Sequence, residues 1–126
     1  MNWKRVLIFI AVIFAATAAV SFPFGFAMGI LTSQGRAVPE WLPIAQGGAS
    51  ILAATSVFTA LAMRQLDRTW EHAWAVWAGA QAASLPLNVG FLGMTPTDWA
   101  IGAAVFLIPL FFGVSLGQRL QQRRTG

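Results

Sequence analysis

Three neutral polar residues, Gln81, Ser84 and Asn88, stand in an otherwise apolar stretch at spacing i, i+3, i+7. On a helix that spacing puts all three on one face. A second pair, Gln46 and Ser50, lies one helical turn apart in a similar setting. Such amides and hydroxyls exchange hydrogen bonds but neither carry charge nor move a proton at neutral pH. Two roles follow. One is a cross-helix clamp, worth about 0.6 kcal/mol per bond between membrane helices; the other is the lining of a path for a solute or ion. Antiparallel neighbours joined by a short connection would bring Gln46 to the depth of Asn88, so the predicted path runs between helices 2 and 3.

The remaining inventory excludes more than it offers. The chain has no cysteine and one histidine, so neither a disulfide nor a thiolate nucleophile exists, and a lone histidine makes no zinc site. His72 adjoins Glu71 and is expected to be a solvated imidazole near Arg68. No set of nucleophile, base and orienting group can be assembled. The ionisable residues that usually mark proton relays and ion paths inside membranes are missing from the apolar runs. The sequence points away from an enzyme and from proton-coupled exchange, and implies no metal and no cofactor.

The elements that must position these residues follow from composition. Of 126 residues, 57% are apolar and 10% charged, with a mean hydropathy of +0.67. Residues 6–35, 41–63, 73–97 and 99–118 carry no charge, and each run has at least 20 residues. That is the length a helix rising about 1.5 Å per residue needs to cross roughly 30 Å of hydrocarbon. A soluble bundle would place polar residues along one face of every helix, and AAVFLIPLFFGV provides none. The reading is an all-α integral membrane protein: one domain of four transmembrane helices, about 6–31, 41–63, 73–94 and 99–118, in an antiparallel up-down bundle. Pro23, Pro86 and Pro109 fall within spans and deprive the carbonyls of Ala19, Ala82 and Val105 of their usual donors, predicting three kinks.

Eight Lys and Arg outnumber four Asp and Glu, but their positions exclude nucleic acid as the reason. Lys4, Arg5, Arg64, Arg68, Arg119, Arg123 and Arg124 fall on one side of the four spans and only Arg36 on the other. The positive-inside rule then predicts a multi-pass protein with both termini cytoplasmic, in a bacterial-type inner membrane. Trp3, Trp70 and Trp74 at one face, and Trp41 and Trp99 at the other, sit where indoles favour head-group depth. The start of the chain has the basic and apolar regions of a secretory signal. Its apolar run continues through VSFPFGFAMGIL, so the segment is expected to remain as the first span.

Ser21-Phe22-Pro23-Phe24 is answered by Ser84-Leu85-Pro86-Leu87, Pro39-Glu40-Trp41 by Pro96-Thr97-Asp98-Trp99, and LAMRQLDR by LGQRLQQR. The order and side match a parallel duplication of a two-helix hairpin, residues 1–68 and 69–126. Thr95-Pro96-Thr97-Asp98 reads as a helix cap, as does Thr69 ahead of Glu71, and the tail from Gln118 as a solvated basic end. Small residues recur four apart at Gly25 and Gly29, Gly79 and Ala83, and Gly113 and Gly117, a spacing that lets helices approach closely. With no catalytic inventory, the expected function is association: an accessory or assembly subunit of a membrane complex, or a homo-oligomer, with the lipid bilayer as its other partner. The alternative is a small channel or facilitator lined by Gln46, Ser50, Gln81, Ser84 and Asn88.

Overall fold

A computed structural model describes residues 1–125, which are helical with short connections and contain no strand. The elements are α1 (Trp3–Ser33), α2 (Trp41–Arg64), α3 (Thr69–Leu85), a π-helix (Pro86–Phe91), α4 (Pro96–Val105) and α5 (Leu107–Thr125). They form four arms, the third being α3 with the π-helix and the fourth α4 with α5. Trp3–Ser33, Trp41–Arg64 and Pro96–Thr125 are long and apolar enough to cross a membrane. The third arm has only 17 α-helical residues before its geometry changes.

The three prolines act differently. Pro23 is absorbed within the unbroken 31 residues of α1. Pro86 lacks the N–H that would bond Ala82, and from there the helix widens: Leu92 N–H donates to the Leu87 carbonyl five residues back, at 3.0 Å. Gly93, at φ 72°, then ends the arm, and Met94 N–H donates to the Asn88 carbonyl at 2.8 Å. Glycine takes this left-handed backbone without the steric cost a Cβ would bring. Pro109 frees Val105, and the fourth arm breaks there, between α4 and α5 at Phe106. The spans expected at 73–94 and 99–118 are therefore corrected. The first contains an α-to-π change, and the second runs from Pro96 to Thr125 with a break, its exposed basic tail continuing the helix.

Capping follows the sequence at one end and departs from it at another. Thr95 Oγ1 accepts the Asp98 N–H at 3.1 Å, with Pro96 opening α4. Thr69 does not cap α3: Arg68 holds that position at φ 51°, and the Thr69 hydroxyl turns back to donate to the Gln65 carbonyl. Asn2 supplies a cap the sequence reading missed, its Oδ1 accepting the Arg5 N–H at 3.1 Å.

α2 lies between α1 and α5, and α3 packs chiefly on α1. A Cβ on Gly113 would sit 2.7 Å from the Thr55 carbonyl oxygen, and one on Gly117 2.6 Å from that of Thr59, so α2 and α5 meet backbone to backbone. Around this seam Phe58, Leu61, Leu110 and Val114 are fully buried. Gly79 meets the tip of Ile10 on α1, whereas Ala83 is exposed and packs on nothing that would explain its spacing. Burial concentrates at the end holding both termini; toward the opposite end Phe22, Phe26, Ile44 and Phe91 are exposed.

The terminal end is locked by polar contacts. The Arg5 guanidinium donates to the Arg64 carbonyl at 3.1 Å and to Gln65 Oε1, placing a cation at the negative end of α2. His72 is not the solvated residue expected from sequence: it is 2% exposed. Its Nε2 accepts the Asn2 N–H at 3.0 Å, so the proton sits on Nδ1, which donates to the Arg68 carbonyl at 2.8 Å. Both ring nitrogens are bonded, and the imidazole joins the starts of α1 and α3. Arg68 itself turns outward to pair with Glu71, whose carboxyl is held below the usual carboxylate range by that hydrogen bond.

Candidate functional site

The two polar stripes part company in three dimensions. Ser50 shares a 3.1 Å hydrogen bond with Ser21, so its face of α2 is turned to α1. Gln46, half-buried, does not line the cavity that holds Asn88, and the pairing expected between them is absent. Helix order explains the difference. α2 is occupied by α1 and α5, and it meets α3 only marginally.

Gln81, Ser84 and Asn88 do share a face, and they line a cavity of about 260 Å³ between α1, α3 and α4. Phe14 on α1, Ala80 on α3, Ala103 on α4 and Phe106 at the break after it make its apolar walls. Asp98 and Trp99 stand at its other end. From Ala80 to Asn88, and from Phe106 to Asp98, each helix advances about 12 Å at ~1.5 Å per residue. The cavity therefore has an apolar floor near mid-depth and a polar mouth toward the loop end, with Gln81 the one amide low on the wall.

Hydrogen bonds fix this geometry. The Ser84 hydroxyl donates to the Gln81 carbonyl at 2.8 Å, rather than to the Ala82 carbonyl freed by Pro86. It also accepts the Trp99 indole N–H at 3.0 Å. The Trp77 indole donates to the Ala103 carbonyl at 3.2 Å. These two indoles bolt α4 to α3. Thr17, also on the wall, donates to the Ile13 carbonyl at 2.7 Å within its own helix.

Asp98 and Trp99 were visible in the sequence only as a cap and a head-group indole. Counting outward from the turn at Gly93 would have set Trp99 at a depth comparable with Ser84, but the place of exposed Asp98 on the cavity wall had no sequence signal. A second hollow, about 580 Å³ between α2 and α5, is walled chiefly by Ile51, Ile108 and Phe112, with Thr55, Ser115 and Arg119 as its polar groups. No cluster of His, Cys, Asp or Glu suited to a metal exists among the described residues.

No protein-family model, curated protein or solved structure matches this chain.

Proposed function

We propose that the chain is a multi-pass protein of a bacterial-type cell membrane, with both termini cytoplasmic. In this reading it works without catalysis by helix association, as an accessory or assembly subunit of a membrane complex or as a homo-oligomer. The observation that carries the reading is a difference among the small-residue faces. Gly113 and Gly117 are consumed by the α2 backbone, and Gly79 by Ile10, but a Cβ on Gly25 or Gly29 would meet nothing within 4 Å. Exposed Phe22, Phe26 and Ile30 flank them on α1. Between bilayer helices, where apolar burial gives little drive, close approach at small residues is a principal source of association.

Because the chain has no cysteine, a single Phe26→Cys variant gives a unique reporter on this face. In native membranes it should form a disulfide with a second copy, or crosslink to a neighbour through a short bifunctional reagent. A protein that stays monomeric in mild detergent and yields no crosslinked product would overturn the proposal. Single cysteines at Gln34 and Gln122 test orientation: an impermeant maleimide added to intact cells should label the first and not the second. The alternative, a channel or facilitator, draws support only from the cavity beside Asn88. It predicts that Asn88→Leu lowers solute flux into liposomes.

A further inference from the structure

We propose that the cavity between α1, α3 and α4 binds a bilayer lipid whose head group carries a protonated amine, with the ammonium at Asp98 and Trp99 and one chain on the floor at Ala103 and Phe106. The inference rests on the chain lying in a bilayer and is independent of what covers the Gly25 face.

Several observations converge on it. The Ser84 hydroxyl, the Trp99 indole N–H and the Thr17 hydroxyl are already engaged within the protein. The side-chain amides of Gln81 and Asn88 have no protein partner among the described residues, and both line the cavity half-buried. They are free to bond a head group or an ester carbonyl. Asp98 is the one formal charge on the wall. The only ion pair among the described residues, Arg68 with Glu71, lies at the far end of the bundle. A carboxylate beside an indole suits an ammonium, through a charge-assisted hydrogen bond and a cation–π contact, and repels an anionic head. In the first turn of α4 the Asp98 N–H bonds the Thr95 hydroxyl and the Trp99 N–H the Thr95 carbonyl, so neither is offered to an anion.

Shape supplies the second argument. Polarity lies at the mouth and hydrocarbon at the floor, matching the order of head and tail in a lipid leaflet. A volume of about 260 Å³ exceeds the ~150 Å³ of a cavity that takes benzene and falls just below the ~300 Å³ where whole small-molecule pockets begin. It accommodates part of a single chain, with a second chain left in the bilayer. α1 and α4 scarcely pack on each other, so a lipid can enter sideways between them.

The test uses full-length protein in vesicles doped with phosphatidylethanolamine or phosphatidylglycerol, each bearing the same photoactivatable group in its acyl chain. The expected result is preferential labelling of Phe14 and of the Ala103–Phe106 segment by the amine lipid, roughly tenfold over the anionic one. That is the factor expected for one charge-assisted contact. Asp98→Asn should erase the preference and Asp98→Glu retain it, while the double variant Gln81→Leu, Asn88→Leu lowers labelling by the amine lipid. Glu40→Gln, a charge change away from the cavity, should leave the pattern intact and controls for folding. Equal labelling by both lipids, a preference that survives Asp98→Asn, or adducts joining these residues to another polypeptide would each overturn the proposal. Absence of any lipid adduct, on this or other faces, would overturn it together with the membrane reading; adducts elsewhere only would overturn the site alone.

Discussion

The indole of Trp99 donates to the hydroxyl of Ser84 at 3.0 Å, tying the fourth arm to the third. The first hairpin holds a parallel: Ser21, in the matching Ser-Phe-Pro-Phe motif, shares its hydroxyl with Ser50 of α2 at 3.1 Å. In each hairpin the motif serine crosses to the partner arm, and the proline two residues later has a separate effect on the helix.

Trp99→Phe keeps the ring and removes the donor. Combined with Ser84→Ala in a double-mutant cycle, it should give a coupling near 0.6 kcal/mol, within the ~1.7 kcal/mol ceiling seen for membrane hydrogen bonds. Unfolding in mixed detergent micelles measures it; strictly additive losses would show the bond to be energetically idle.

Substitution at the glycines should separate into two classes. Gly113→Ala or Gly117→Ala forces a methyl against backbone oxygens of α2 and should destabilise the fold by about 1–3 kcal/mol, the usual cost of overpacking. Gly25→Ala meets open space and should leave monomer stability unchanged while altering crosslinking yield.

His72→Leu strands the Asn2 N–H and leaves the Arg68 carbonyl with the backbone N–H of residue 72 alone. The unpaired N–H costs about 1–3 kcal/mol if it stays dry. Hydrogen exchange should rise at the start of α1 and in the first turn of α3, with the α2–α5 seam still protected. An exchange pattern equal to wild type would show that water replaces the imidazole at no cost.

Glu71 is ionised more readily than a free carboxylate because Arg68 donates to it. A lowered folded-state pKa stabilises above the ordinary carboxylate range, and that contribution disappears as pH falls through the lowered value. The pair is exposed and screened, so Glu71→Gln should match wild type in high salt. Thermal scans at low and high ionic strength check this.

Much of the architecture was legible because it is written in one-dimensional signals: charge-free runs long enough for helices, the Thr95-Pro96 cap, and the i, i+3, i+7 face of Gln81, Ser84 and Asn88. What stayed hidden depends on which helix lies beside which. The seam of Gly113 and Gly117 against Thr55 and Thr59 pairs arms from different hairpins, and no local pattern distinguishes that from pairing with a neighbour in sequence. The same ambiguity misplaced Gln46 and Ser50. His72 was misread because burial at a junction of three segments needs long-range contacts that charge and spacing do not encode.

The backbone-close contact of α2 with α5 also imposes an order of events during synthesis. When α2 is complete, its tightest partner has not been made, since α3, the π-helix and α4 must come first. Until then the Thr55–Thr59 face of α2 is a vacant berth. A chain interrupted before Leu107 would keep that berth open and, through its unfilled α2, compete for the α5 of an intact copy.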